Sequence, residues 1–296
     1  MNYRLFFLIS LLWSFSIWAG NFDSSKAIYG KDNRRFVSSK NSQSLIANIS
    51  KSVAMIVAKE NVEEKFFSSI IKADFINDKD SLNLCLDQKF SGHHSVMSCT
   101  GFLVAENILA TAGHCFMSNF DCENKKIIFH VLDKNEVSEG YRVAHQNVFN
   151  CKNIIKSEID PSGDRDFALI ELDRVVKGVR PLKLSSSNIK LNTNVLMIGH
   201  PLGLPQVIST SAKVVDISNE NLFKATLDSF AGNSGSPVIN ENTMEVEGIL
   251  VSGQDDFEST QNGCMKYKTF SEIMENSNAL TGEGVSRISV ITPFLK

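Results

Sequence analysis

The sequence predicts an all-β fold, arranged as a sandwich or a barrel. Short apolar runs rich in valine and isoleucine recur along the chain, and glycine, asparagine, aspartate and serine separate them. β-Branched residues favour pleated strands, whereas the separating residues favour turns. The strand candidates are residues 52–58, 102–104, 108–110, 126–132, 167–172, 194–199, 211–215 and 246–251. Residues 63–71, between the first two candidates, are instead predicted to form a short helix.

Residues 1–20 have the pattern of a secretory signal peptide. Arg4 precedes an apolar stretch from Leu5 to Trp18, and the small residues Ala19 and Gly20 supply a cleavage point. The apolar stretch is short for a membrane span, so an uncleaved anchor is the less favoured alternative. We therefore expect export, to the cell exterior or the periplasm, and no stable membrane span after the signal is removed.

The composition is that of an ordinary globular protein, with 43% hydrophobic and 21% charged residues. The formal net charge of −3 does not suggest a nucleic-acid partner. Six cysteines, an even number, suit an oxidising compartment, and none forms a Cys-x-x-Cys pair of a zinc site. The sequence therefore implies no cofactor and no metal site.

Ser234 lies in a turn-forming segment, residues 230–237, where it stands between glycines. Glycines allow a sharp turn, so the hydroxyl of Ser234 and the backbone N–H groups of Gly232 and Ser234 can face one pocket. Acyl transfer needs this pairing of a nucleophile with donors for the oxyanion. A serine nucleophile also needs a base and an orienting acid, and the candidates upstream are His114 and Asp166.

The chain order His114, Asp166, Ser234 and the motifs around these residues resemble the chymotrypsin-like, or trypsin-family, serine proteases. The resemblance is closest to the bacterial branch that includes the glutamyl endopeptidases. An α/β-hydrolase would instead place the serine first. The resemblance covers about residues 95–260 and implies a protease domain from about residue 27 to residue 296. It implies two antiparallel six-stranded β-barrels, at about residues 45–175 and 181–296, with the active site between them.

The family resemblance assigns a role to each site residue. Ser234 is the nucleophile, His114 accepts and returns its proton, and Asp166 orients the imidazole. Gly232 and Ser234 supply the N–H groups of the oxyanion hole. Asp164 is the alternative acid, but the Phe-Ala-Leu that follows Asp166 matches the family strand. The expected substrates are proteins or peptides.

The resemblance also implies a disulfide between Cys99 and Cys115, which would stiffen the loop that carries the predicted base. The remaining cysteines are expected to pair as Cys122 with Cys151 and Cys85 with Cys264, although sequence alone does not determine connectivity. The other histidines are expected at the surface or in packing roles, with a metal pair at the first two as the less favoured alternative. They are His93, His94, His130, His145 and His200.

Residues 27–34 resemble the mature start of the glutamyl endopeptidases. Residues 21–26 are accordingly predicted to be a short propeptide that ends at Lys26, the alternative being an exposed lysine in a loose terminus. Asn233 stands where trypsin has an aspartate that captures the new N-terminal amine on activation. An amide cannot form that ion pair, so activation by that switch is not expected.

The specificity pocket is predicted to contain Asp228, six residues before the nucleophile, where trypsin has the aspartate that selects lysine or arginine. Phe230 replaces the cysteine that anchors the pocket wall in trypsin. A basic preference is favoured over the acidic preference of the glutamyl endopeptidases, and a structural role as a hydrogen-bond acceptor is the other interpretation of Asp228. Val251, Ser252 and Gly253 are expected to pair with the substrate backbone.

Two other functions stay open at this point. One is a secreted, non-catalytic binding module on a protease fold, which a missing triad residue would favour. The other is an esterase-like hydrolase that uses the same site. All three triad residues are present, so the sequence favours a secreted serine endopeptidase.

Overall fold

Six strands form a closed antiparallel barrel in the first half of the chain, the N-terminal barrel. In order around the barrel they are Val53–Ala58, Ser98–Ala105, Ile108–Thr111, Asp166–Leu172, Val148–Ile159 and Lys125–Phe129. The last strand pairs again with the first, so no edge is left open. Phe102, Phe129 and Phe167 fill the interior and are fully buried.

A second set of six strands closes in the same way to form the C-terminal barrel. In order around the barrel they are Asn194–Gly199, Pro237–Asn240, Val246–Ser252, Glu283–Arg287, Leu222–Ala225 and Val207–Asp216. The short strand Arg35–Phe36 pairs with the edge of Val207–Asp216. Val195, Phe223 and Leu250 lie in its separate hydrophobic core.

This architecture comes from a computed structural model that describes residues 28–37, 45–270 and 282–295. The predicted signal peptide, residues 1–20, and the predicted propeptide, residues 21–26, lie outside the described residues. Every strand candidate falls on a strand, and the predicted all-β fold of two six-stranded barrels is confirmed. The chain passes from one barrel to the other between Leu172 and Asn194, and the predicted boundary between the barrels, at about residues 175–181, falls in this stretch.

The helix predicted for residues 63–71 is wrong, because this stretch forms a β-hairpin. Its strands, Val62–Glu64 and Ser69–Lys72, pair antiparallel and join two further strands in a four-stranded sheet. The further strands are Glu136–Val137 and Gly140–Val143. Ile70 and Ile71 are both buried, and Ile71 packs with Tyr141 beside the N-terminal barrel. Burial against this sheet outweighs the local preference for a helix.

The remaining elements are short. Within residues 28–37, 45–270 and 282–295 the two α-helices are Leu45–Ser50 and Asn119–Asn124. The two-stranded pairs are Ile28–Tyr29 with Thr269–Phe270, Asp74–Phe75 with His94–Ser95, and Phe257–Ser259 with Met265–Tyr267. Among the described residues no helix has the length and apolar character needed to cross a membrane.

Candidate active site

His114 lies at the centre of a short 3-10 turn, Gly113–Cys115, that follows the strand Ile108–Thr111. Its Nδ1 lies 2.6 Å from Oδ2 of Asp166, and its backbone N–H donates to Oδ1 of the same carboxyl at 3.0 Å. The side chain of Asp166 is 4% exposed, whereas that of His114 is 24% exposed. The buried carboxylate thus orients the ring, and the ring keeps a face toward solvent and substrate.

Asp166 begins the strand Asp166–Leu172, and its position is secured from the C-terminal barrel. The N–H of Asp166 donates to Oγ of Ser286 at 3.2 Å, and that hydroxyl donates to the carbonyl of Asp164 at 2.8 Å. The carboxylate of Asp164 accepts from the side chain of Asn219 at 2.7 Å. Asp166 is therefore the aspartate that contacts the histidine, and Asp164 binds a loop of the C-terminal barrel.

Ser234 lies on a turn that only glycine permits on both sides. Gly232 has φ +93° and Gly235 has φ +88°, in the left-handed region that favours glycine. A Cβ on Gly235 would lie 2.1 Å from the carbonyl oxygen of Thr100. The turn therefore packs directly against the N-terminal barrel, and a larger residue would displace it.

Thr100 joins the serine turn to the barrel that carries the histidine. Its N–H donates to the carbonyl of Ser234 at 2.8 Å, and its hydroxyl donates to the carbonyl of Gly232 at 2.8 Å. Thr111 in turn donates to the carbonyl of Thr100 at 2.6 Å. Sequence analysis missed both threonines, because nothing in their local pattern separates them from other strand residues.

The N–H of Gly232 is one of the two predicted oxyanion donors. Within the part of the chain that the structure describes, this N–H has no hydrogen-bond acceptor in the protein. The carbonyl of Ala231, which shares a peptide plane with this N–H, accepts from the N–H of Leu202 at 2.5 Å, so the peptide plane is held in place. A preorganised donor of this kind stabilises charge that develops on a substrate oxygen.

The disulfide between Cys99 and Cys115 connects the same two regions, because Cys99 precedes Thr100 and Cys115 follows His114. The Sγ atom of Cys115 lies 3.9 Å from the carbonyl oxygen of Ser234. The other two bridges join Cys122 to Cys151 and Cys85 to Cys264. These are the three pairs that the sequence analysis expects.

Asp228 lies at the back of the predicted specificity pocket, with 3% of its surface exposed. Oδ1 accepts the N–H of Tyr29 at 2.8 Å, and Oδ2 accepts the N–H of Asn33 at 2.9 Å. Burial raises the pKa of Asp228 to about 6, against the two backbone hydrogen bonds, which lower it. Both carboxyl oxygens therefore bind the N-terminal segment, which agrees with the structural interpretation of this residue.

Glu283 is a second buried carboxyl in this region, and sequence analysis missed it. Oε2 accepts the hydroxyl of Ser229 at 2.7 Å, and Oε1 accepts the hydroxyl of Tyr29 at 3.1 Å. The N–H of Gln254 lies 3.5 Å from Oε1. The carboxyl thus lies between Ser229, the residue after Asp228, and Gln254, just after the predicted substrate-binding residues. Its sequence signal is weak, because no motif surrounds it.

The predicted substrate-binding residues lie beside the serine turn. Val251 and Ser252 end the strand Val246–Ser252, and Gly253 follows it. The preceding residue, Leu250, exchanges backbone hydrogen bonds with the turn, accepting from Gly235 at 2.8 Å and donating to Ser236 at 3.0 Å. The strand is therefore fixed in register with the predicted nucleophile.

Four of the other histidines have hydrogen-bond partners in the structure. His93 and His94 both place Nδ1 2.8 Å from the carboxylate of Glu136, and His200 is fully buried, which lowers its pKa to about 4. In the described ranges one group has metal-ligand spacing, namely Cys99, His114 and Cys115. Its cysteines form a disulfide and cannot act as thiolate ligands.

Comparison with known proteins identifies the family. The family model for trypsin matches residues 87–273, more than half of the chain. The chain belongs to the trypsin family. Membership makes it a serine-type endopeptidase by class, and the two barrels described above are the fold of that family.

Solved structures of the same fold include further proteases of this class. A Glu endopeptidase solved with MPD matches this trypsin-family chain with a TM-score of 0.52 at 17% identity, covering 90% of this chain and 96% of that one. The VesB protease of Vibrio cholerae matches with a TM-score of 0.51 at 15% identity, covering 88% of this chain and 65% of that one. Among curated protein sequences, no match is found.

Proposed function

We propose that the protein is an exported serine endopeptidase that cleaves peptide bonds through His114, Asp166 and Ser234. The observation that carries the proposal is the 2.6 Å contact between Nδ1 of His114 and the buried Asp166. This contact leaves Nε2 as the ring nitrogen that accepts a proton. The serine turn is bound to the same barrel through Thr100, which supports a common site.

In the proposed reaction, Nε2 of His114 takes the proton of the Ser234 hydroxyl while Oγ attacks the scissile carbonyl carbon. The N–H groups of Gly232 and Ser234 stabilise the oxyanion. His114 then protonates the leaving amine, and an acyl-enzyme remains. Water hydrolyses the acyl-enzyme by the same steps, and Asp166 stabilises the imidazolium each time it forms.

The proposed substrate is an extended polypeptide chain with lysine or arginine on the N-terminal side of the cleaved bond, the P1 position. Val251, Ser252 and Gly253 offer a strand edge for the substrate backbone beside the serine turn. Asp228 accepts two fixed backbone N–H groups, whereas the main donors to Glu283 are hydroxyls that can rotate, so the acidic group of the pocket is assigned to Glu283. A buried carboxylate between two pocket walls favours a cationic P1 side chain.

The proposed location of this activity is outside the cytoplasm, at the cell exterior or in the periplasm. Three disulfides in a chain with no free cysteine among the described residues suit an oxidising environment. The N-terminal pattern of a signal peptide points the same way.

The test is covalent labelling with a fluorophosphonate, followed by peptide mass spectrometry. Wild type should be labelled at Ser234, and both Ser234→Ala and His114→Ala should lose the label. Ser236→Ala is the matched control, because Ser236 lies in the same turn as Ser234. This variant should still be labelled at Ser234. Absence of label on folded wild type would reject the proposed endopeptidase function and favour a non-catalytic binding module.

A further inference from the structure

The N-terminal segment, defined here as residues 28–36, is built into the back of the specificity pocket. Tyr29 and Asn33 donate their backbone N–H groups to Asp228, and the hydroxyl of Tyr29 donates to Glu283. Ile28–Tyr29 pairs in parallel with Thr269–Phe270. Both acidic groups of the pocket region are therefore bonded to one short stretch of chain.

Arg34 makes the most unusual contact of this segment. Its guanidinium lies 4.2 Å from the ring centroid of Phe230 and 4.2 Å from that of Tyr267, and its side chain is fully buried. Nε and Nη2 donate to Asp32 at 3.0 Å and 2.8 Å. Within the described ranges Nη1 has no hydrogen-bond partner, so it depends on the aromatic faces. Burial in an aromatic site strengthens such a cation–π contact.

The charge of this cation is balanced locally. Burial acts to raise the pKa of Asp32, but the hydrogen bonds and charge of Arg34 outweigh it and hold that pKa below its ordinary value. A buried arginine without a carboxylate partner would carry a large desolvation penalty. Asp32 and Arg34 thus form an ion pair at the aromatic site.

Phe230 connects this unit to the catalytic turn. It is fully buried, and it is separated from the oxyanion glycine, Gly232, by Ala231 alone. The N–H of Ala231 donates to Asp256 at 2.9 Å. Phe230 is therefore part of the wall between Asp228 and Gly232, and its ring packs where the guanidinium of Arg34 contacts this wall.

We propose that Arg34 is a positioning residue that holds the pocket wall, residues 228–232, through the rings of Phe230 and Tyr267. The covalent anchor of this wall in trypsin is a cysteine at the position of Phe230, and the cation between two rings takes over that function here. Asn233 has no charge with which to bind a new N-terminal amine. The N-terminal segment, residues 28–36, therefore orders the pocket wall in place of such an amine. The kinetic part of this inference rests on the proposed endopeptidase function.

The first test compares Arg34→Ala, Arg34→Lys and wild type on two peptides that differ only in lysine or alanine at P1. Concentrations are corrected by titration of labelled Ser234. Arg34→Ala should lower kcat/KM for the lysine peptide by about 10- to 100-fold, because small misplacements of a site cost this much. The ratio of kcat/KM between the two peptides should also fall. Arg34→Lys should restore little, since an ammonium lacks the planar stacking surface.

Arg174→Ala is the matched control, because Arg174 lies 3.9 Å from the ring of Phe149 and pairs with Asp173 far from the pocket. It should leave kcat/KM and the peptide ratio unchanged. Loss of stability alone reduces the active fraction and not the peptide ratio. An unchanged ratio in folded Arg34→Ala would overturn the proposal.

A second measurement does not depend on catalysis. Hydrogen exchange of residues 228–232 is compared in Ser234→Ala with and without Arg34→Ala, and the added substitution should speed exchange there by about 10-fold or more. Equal exchange would refute the positioning role even if the chain proves not to be an enzyme. If Arg34→Ala does not fold, Tyr267→Leu removes one ring face and should produce the same increase in exchange.

Discussion

At Asp166 one carboxyl group makes two contacts with one residue, through Nδ1 and the backbone N–H of His114. The first contact selects the tautomer, and the second fixes the turn from which the ring projects. Ser286 holds the backbone of Asp166 from the other barrel. The orientation of the proposed base therefore depends on residues from both barrels.

Asp166→Asn should leave the fold intact and lower kcat by about 10⁴-fold, the loss known for chymotrypsin-like triads. The amide can donate to Nδ1 and so favours the wrong tautomer of His114. Steady-state kinetics on a peptide substrate measures the loss, and Asp164→Asn is the control. A similar fall in Asp164→Asn would mean that the acid has been assigned to the wrong aspartate.

Two buried carboxyls near the pocket have different partners, and this difference predicts different roles. Glu283→Gln should lower kcat/KM for lysine or arginine peptides by about 30-fold or more, since loss of a buried charge partner costs about 2 kcal/mol or more. Asp228→Asn should keep the P1 preference, because its carboxyl faces the backbone of Tyr29 and Asn33. A peptide library that varies the P1 residue distinguishes the two roles. If Asp228→Asn alone loses the preference for lysine or arginine, the P1 preference belongs to Asp228 and not to Glu283.

At the scale of elements, the N-terminal barrel contains two disulfides that differ in span and in position. Cys99 and Cys115 are 16 residues apart, and Cys122 and Cys151 are 29 residues apart. The first bridge adjoins His114 and Ser234, while the second joins the helix Asn119–Asn124 to the long strand Val148–Ile159. The stabilisation by a disulfide changes only slowly with loop length, so these two bridges allow effects on stability and on activity to be separated.

Replacing either cysteine pair by serines should cost about 3–4 kcal/mol of unfolding free energy, because the loop-closure entropy depends only on the logarithm of loop length. Only the Cys99→Ser/Cys115→Ser variant should lose activity per active site, by about 10-fold or more, since its bridge positions the catalytic turn. Denaturant unfolding and titrated kinetics measure the two effects. Equal activity loss in both variants would show that the Cys99–Cys115 bridge has no special role at the site.

At the scale of the whole molecule, segments distant in sequence close the site. The serine turn belongs to the C-terminal half of the chain, and Thr100 of the N-terminal barrel donates a backbone hydrogen bond to it. The segment formed by residues 28–36 lies against the C-terminal barrel, where Arg35–Phe36 pairs with Val207–Asp216. Folding of both barrels and docking of this segment are therefore needed before the pocket has its shape.

Asp228 makes the stability of this assembly pH-dependent. Its pKa is raised from 3.8 to about 6 on folding, so the stabilisation is fully present below about pH 4 and is lost as the pH rises through 6. The change is on the order of 3 kcal/mol at 1.36 kcal/mol per pKa unit. Asp228→Asn does not titrate, so the free energy of unfolding of this variant should rise relative to wild type between pH 4 and 7.

Denaturant unfolding across that range measures this difference, in a Ser234→Ala background that prevents self-cleavage. Other carboxyl groups change stability equally in both proteins, so they cancel in the comparison. A difference between the two proteins that stays constant from pH 4 to pH 7 would contradict a raised pKa for Asp228.

Much of the fold and of the candidate site can be predicted from local sequence. Strands such as Asn194–Gly199 are contiguous apolar runs, and their period and boundaries are visible in the chain. The glycines on both sides of Ser234 indicate a turn because the required φ angles exclude other residues. The order of His114, Asp166 and Ser234 indicates the family before any contact is known.

The features that local sequence could not decide depend on partners far along the chain. Residues 63–71 form a hairpin in which Ile71 packs beside the N-terminal barrel, and no local signal reports that packing. Asp228 binds N–H groups 199 and 195 residues away, so its spacing from Ser234 did not reveal which way its carboxyl points.

The sequence by itself determined the all-β class, the family and the chemical identities of the proposed triad, because each depends on short, ordered motifs. Only the tertiary structure decided that Arg34 lies between Phe230 and Tyr267 and that Glu283 lies between the pocket walls. The physical reason is that burial and pairing of charges depend on which distant segments meet, and charge in a low-dielectric site is stable only where its partners are already in place.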